Sequence, residues 1–192
     1  GFMNPQIEYG SDVISRIRTG STEDGLTKLR SSVVTRISSE LAGMGDAPAD
    51  ISRIIISGNT TMNAILERLL LDNLGHAPFE IRNPDSITVS GKDFFDDERF
   101  CSAEVTCLPN LSAFVGADAL CGAVVCNIDR SDKYQLFADL GRNGELILAK
   151  QGIGYATSCA CGPAFEGMLR RGVSAPTTAF DLLNRLNLLH IV

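Results

Sequence analysis

The sequence predicts a mixed α/β fold, and three observations carry that prediction. Stretches at 51–57, 103–108, 133–139 and 145–149 are β-branched or alternate between apolar and polar residues, as strands do. They are interleaved with segments at helical spacing, the clearest placing Leu26, Leu29, Val33, Val34, Ile37 and Leu41 on one stripe. A content of 44% hydrophobic and 21% charged residues over 192 positions then suits a chain that buries a sizeable core, as one large domain or two half-sized lobes.

The elements follow in order. Val13, Ile14 and Ile17 sit at helical spacing behind Ser11 and Asp12, either of which suits the cap that accepts an orphan N–H. The long amphipathic helix starts near Thr22 and stops at the breaker cluster 43–48. Ile51 to Ser57 reads as a buried strand, Gly58-Asn59 as a tight turn, and Thr60 to Leu71 as a helix capped by Thr60 or Thr61. Residues 75–100, with Pro78, Pro84, Gly91 and an acidic run, hold no sustained period and read as an irregular excursion. Ala103 to Leu108 is a short strand and Phe114 to Cys126 a tightly buried helix. Lys133 to Asp139 and Glu145 to Ala149 form a hairpin about the turn 141–144, and Ile153 to Thr157 is a further short strand. A helix from Pro163 and a last one from Thr177 or Thr178 to about Leu189 complete the reading. The expected division is 1–130 and 131–192.

Composition excludes several function classes. Net charge is −6 and the basic residues are scattered, which disfavours nucleic-acid binding because phosphates need clustered cations. No run approaches the roughly 18 apolar residues of a membrane span. The start of the chain lacks the order of a secretory signal, and Gly1-Phe2 ahead of Met3 reads as a cloning remnant, so the expected compartment is the cytoplasm. The six cysteines form no C-x-x-C pair and have only His76 and His190 for company, so they read as small buried hydrophobes rather than metal ligands.

Three stretches carry candidate chemistry. In the segment from Phe137 to Leu146, Asp139 ends a strand and meets a turn containing Gly141 and Gly144; this suits a phosphate chain and its magnesium, and equally suits an ordinary glycine-rich hairpin. Ser57-Gly58-Asn59-Thr60-Thr61-Met62 delivers a glycine and two hydroxyls to a helix start, a natural anion site or simply a cap. Ser158 to Gly167 brings Cys159 and Cys161 through a small-residue loop, as redox thiols or as tight packing.

These segments, together with Asn4-Pro5-Gln6, Tyr9-Gly10-x-Asp12-Val13-Ile14-Ser15-Arg16-Ile17, Phe114-Val115-Gly116-Ala117-Asp118 and Gly162-Pro163-Ala164-Phe165-Glu166-Gly167, resemble the C-terminal ATPase domain of the reductive activators of corrinoid proteins. The resemblance implies the actin-like, ribonuclease H-like fold shared by acetate and sugar kinases, heat-shock chaperones and actin, in which two lobes clamp ATP and magnesium. It implies further that ATP hydrolysis is coupled to low-potential electron delivery to a corrinoid protein, with a 2Fe–2S ferredoxin domain elsewhere in full-length members. By the same resemblance Gly58, Asn59 and Thr60 contact nucleotide, as do Gly141, Arg142, Asn143 and Glu145 of the second phosphate segment, and Gly162 lies beside the cleft. Asp139 would hold magnesium through water or orient the attacking water, and 114–126 would connect the lobes. Cys159 is reminiscent of a cluster ligand in related activases.

Two departures shape the expectation. Arg142 stands where the family has Thr, and a bulky cation there either binds phosphate or fills the pocket. The chain is also expected to be partial, since no Asp-x-Gly-Thr-Thr precedes Asn4 and no Gly-Gly loop follows Gly172. A sheet so cut exposes strand edges that favour self-association into a homo-oligomer. The alternatives are a non-catalytic interaction or structural module that binds no nucleotide and, ranked last, a sugar or acyl kinase.

Overall fold

The computed structural model describes residues 1–44, 47–141 and 143–160. They fall into two compact units, Gly1–Asp118 and Ala119 onward, a division that lies inside a helix.

In the first unit, α1 (Val13–Gly20) is capped by Asp12, whose carboxylate accepts from the Ser15 N–H at 2.8 Å while Ser15 returns the bond in a capping box. Helix α2 (Glu23–Ala42) starts at the Thr22 cap as the sequence predicts. Its stripe feeds two clusters. Leu26 and Leu29 pack with Ile65, Leu71 and Leu74. Val33 and Val34 pack with Leu66, Phe94, Phe95, Phe100, Val105 and Cys107. Arg30 ties the same helix to its neighbours, its guanidinium donating to the Leu66 and Phe94 carbonyls at 2.9 and 2.8 Å; burial lowers its pKa to about 10.

After the short α3 (Ala47–Asp50), β1 (Arg53–Ile56) leads through Gly58 into α4 (Thr60–Leu66). The cap of α4 is Asn59, not either threonine. The helix also stops five residues short of the expected Leu71. Arg68 adopts φ 62, and the Arg68 and Leu69 N–H groups bond back to the Ile65 and Ala64 carbonyls. This is the Schellman arrangement, which sequence reading finds by its usual glycine; here an arginine takes that place.

The stretch 75–100 is only partly an excursion. Its second half supplies β2 (Ile87–Ser90), α5 (Gly91–Phe95) and a 3-10 turn at Glu98–Phe100. Phe94 is 2% exposed and Phe100 fully buried, so this segment is part of the core. The central strand β3 (Glu104–Cys107) pairs parallel with β1 and antiparallel with β2.

Helix α6 (Ala117–Val125) spans the division between the units. In the second unit, β4 (Gln135–Leu140), β5 (Asn143–Lys150) and β6 (Ile153–Ala160) form an antiparallel sheet in that order. A side chain at Gly122 of α6 would collide with the Phe137 ring, so the helix lies close on β4. Strand β6 runs three residues beyond its expected end at Thr157. The helices expected from Pro163 and from Thr177 lie outside the described residues. No described helix is long and apolar enough to cross a membrane.

Candidate functional site

The Gly58 turn belongs to the first unit, where the Asn59 side-chain oxygen, the Thr60 hydroxyl and the Gly58 carbonyl are engaged, while the buried Asn63 Oδ1 facing Gly58 has no partner among the described residues. Asn59 caps α4 by accepting from the Met62 N–H at 2.9 Å. The Thr60 hydroxyl donates to the Ser112 carbonyl at 2.6 Å, with the residue only 4% exposed. The Gly58 carbonyl accepts from the Asp118 N–H at 3.3 Å. Gly116 lies so near that a Cβ on it would stand 2.5 Å from the Asn59 Cα and 2.6 Å from the Thr60 N. Behind the turn, fully buried Asn63 donates to the Leu108 carbonyl at 2.9 Å and to Asn110 at 3.1 Å. Beyond α4, the half-buried Glu67 accepts from Asn83 at 3.1 Å, and burial raises its carboxyl pKa.

The glycine hairpin belongs to the second unit. Leu140 pairs with Gly144, which leaves residues 141–143 as the connection, and the Gly141 N–H bonds to the Asn143 carbonyl at 2.9 Å. Among the described residues, a Cβ placed on Gly141 would meet the Asn143 carbonyl oxygen at 3.6 Å, an ordinary contact, and the residue is exposed. One step back, Asp139 stands directly opposite Glu145, and Glu145 directly opposite Ser158. Three oxygen-bearing side chains therefore line one row across three strands, all half-buried. The Ser158 hydroxyl donates to Glu145 Oε1 at 3.4 Å. Next along the same face the row is Phe137, Ile147 and Ala156, with the Phe137 ring against Gly122 of α6. Like charges placed opposite each other on neighbouring strands repel. A pair of carboxylates held in this way suits a hard divalent cation that takes one or two protein oxygens and keeps much of its water, as magnesium does.

The sequence-predicted residues thus divide. Gly58, Asn59 and Thr60 are together in one unit, and Asp139, Gly141, Asn143 and Glu145 are together in the other. Arg142 and Gly162 lie outside the described residues. Ser158, read from the sequence only as the start of a loop, belongs to the carboxylate row. Its signal was the turn Gln151-Gly152, where both residues have positive φ, 51 and 79. Such a two-residue turn fixes register, and equal steps back from it put Ser158 opposite Glu145.

The cysteines are less uniform than expected. Cys107 is buried, and its thiol pKa is pushed up to about 11 by that burial, but Cys101 and Cys126 are exposed. Cys159 is half-buried with its sulfur 3.5 Å from the Gly144 carbonyl. Among the described residues no group of three or more His, Cys, Asp or Glu gathers into a metal cage.

The described chain thus holds a mixed parallel and antiparallel sheet backed by α2 and α4, followed by an antiparallel hairpin sheet that carries the carboxylate row. Family models divide the chain in the same sense: the RACo middle region matches residues 1–131, and the C-terminal domain of RACo, the ASKHA domain, matches residues 133–185. The chain belongs to the RACo family. It is similar to the corrinoid activation enzyme RamQ of Eubacterium limosum, at 34% identity over 185 residues that cover 93% of this chain and 31% of RamQ. It also resembles the solved structure of a reductive activator for corrinoid, iron-sulfur protein, at 29% identity and a TM-score of 0.75, covering 86% of this chain and 27% of that one. The chain therefore spans about a third of the length of the curated relative it matches.

Proposed function

We propose that this chain forms part of the ATP-binding and ATP-hydrolysing apparatus of a reductive activator, in which hydrolysis drives delivery of a low-potential electron to a corrinoid protein. The observation that carries the reading is the row of Asp139, Glu145 and Ser158 beside a glycine that is exposed among the described residues, within the stretch that matches the ASKHA domain. Bound magnesium–ATP would supply a γ-phosphoryl group whose charge the metal neutralises. Asp139 would hold that metal through water, or orient the attacking water. Glu145 adds a second carboxylate on the same face, and Gly141 leaves room for phosphate against the main chain. Arg142 and Gly162 enter this reading through the resemblance alone. For Gly58 and Thr60 a nucleotide contact would fall to the main chain, because the Thr60 hydroxyl is already bonded within its unit, while Asn59, whose oxygen caps α4, would offer its amide N–H groups.

The 2Fe–2S group belongs to a separate domain in this reading, the partner is a corrinoid protein, the compartment is the cytoplasm, and the assembly is a homo-oligomer. Calorimetry of magnesium–ATP with this chain tests the site. Asp139→Ala should weaken magnesium-dependent binding by about tenfold or more while the circular dichroism spectrum stays unchanged. Equal binding by both proteins would remove Asp139 from the site. The engaged state of the Gly58 turn favours a second reading, a structural module that binds no nucleotide, and a well-folded sample without any heat of binding would select it.

A further inference from the structure

We infer that Ser158 is a positioning residue for magnesium–nucleotide binding, acting through Glu145. The inference rests on the phosphate reading of the hairpin. Its starting point is the division of one sheet face into two kinds of row. Phe137, Ile147 and Ala156 make an apolar row whose Phe137 ring lies against α6, and the adjacent row toward the hairpin is Asp139, Glu145 and Ser158. Nothing in strand formation calls for that change. Two carboxylates directly opposite one another weaken a strand pair, and an apolar or a threonine pair would serve the sheet better.

The third strand adds a hydroxyl to the pair. Among the three side chains of the row, Ser158 alone carries a proton to give, and it gives it to Glu145 Oε1 at 3.4 Å. A hydroxyl bonded to one carboxylate oxygen restricts the rotation of the group, which is how residues behind a metal ligand orient it. Glu145 sits between its neighbours, with Asp139 on β4 and Ser158 on β6. The hydroxyl therefore braces it on the side away from Asp139. Serine suits the task by size: it reaches its cross-strand neighbour without crowding a half-buried position.

The test uses the full chain and four variants, Ser158→Ala, Ser158→Thr, Glu145→Gln and the double variant Ser158→Ala with Glu145→Gln. Calorimetry measures ATP binding with and without magnesium, and manganese binding is followed in parallel by electron paramagnetic resonance. Ser158→Ala should weaken magnesium-dependent ATP binding and manganese binding by about tenfold, the low end for a group behind a ligand because the hydrogen bond is long. Metal-free ATP binding should be unchanged. Ser158→Thr, which keeps the hydroxyl, should restore the metal dependence. Adding Ser158→Ala to Glu145→Gln should cost nothing more, because the hydroxyl then has no carboxylate to brace.

Three results would overturn the assignment: unchanged metal dependence in Ser158→Ala, failure of Ser158→Thr to restore it, or fully additive losses in the double variant. Failure of the underlying reading looks different. If the unaltered chain shows no magnesium-dependent ATP binding and no manganese binding, the phosphate reading falls and takes Ser158 with it. If binding is present and lost in Asp139→Ala yet untouched by Ser158→Ala, only the Ser158 assignment falls.

Discussion

The Gly58 turn and the Gly141 hairpin look alike in sequence: each follows a strand, each has a glycine, and each is flanked by oxygen-bearing side chains. In the folded chain they differ in how those oxygens are used. At the Gly58 turn Asn59 caps a helix, Thr60 bonds the Ser112 carbonyl, and the Gly116 backbone presses on the turn itself. At the hairpin the Asp139 side chain enters no hydrogen bond or ion pair among the described residues, and among those same residues Gly141 is exposed. A glycine beside polar residues therefore marks either a joint or a binding edge. What separates the two is whether neighbouring segments consume the polar groups.

This contrast can be broken by substitutions that act on stability in one unit and on binding in the other. The largest stability effect is expected from Phe100→Ala. The ring is fully buried and lies 4.4 Å from Phe95, so its loss should cost about 3–5 kcal/mol in urea denaturation of the first unit. Gly116→Ala comes next, at about 3 kcal/mol, because the clash is with backbone atoms of Asn59 and Thr60 that cannot rotate away. Thr60→Val keeps the shape and removes the donor to Ser112, for about 1–2 kcal/mol by the same assay. Asp139→Ala should move the denaturation midpoint very little, by under about 0.5 kcal/mol, since no internal bond is lost. That result alongside lost magnesium–ATP binding would place the hairpin on the functional side of the comparison.

The smallest expected effect is a pH dependence in the first unit. Burial raises the Glu67 carboxyl above its usual 4.5, so the folded chain holds that proton more tightly than the unfolded one. Stability from this group is then fully present below about 4.5 and declines as pH rises through the raised value. Glu67→Gln should reduce the difference in denaturation midpoint between pH 4 and pH 7. An equal difference in both proteins would show that Glu67 does not contribute.

Much of the framework was legible beforehand. Helix α2 announced itself by a twenty-residue stripe and a threonine cap, and the β4–β5 hairpin by its bracketing glycines. The end of α4 was hidden because Arg68 takes the left-handed position that glycine normally advertises. The second half of 75–100 was hidden for a different reason. Its strand and helix are four and five residues long, too short for a period to register, and Phe94 and Phe100 become buried only against α2 and β3.

The sequence by itself determined the α/β class, the order of the long elements and the family, because periodicity, caps and glycine spacing act over a few neighbouring residues and survive in one dimension. Tertiary structure alone decided which polar groups remain for a ligand. Ser112 and Thr60 lie far apart along the chain, as do Ser158 and Glu145, and only packing and strand register bring each pair to hydrogen-bonding distance. An oxygen's availability depends on what is folded against it, and that is a property of contacts rather than of neighbours in sequence.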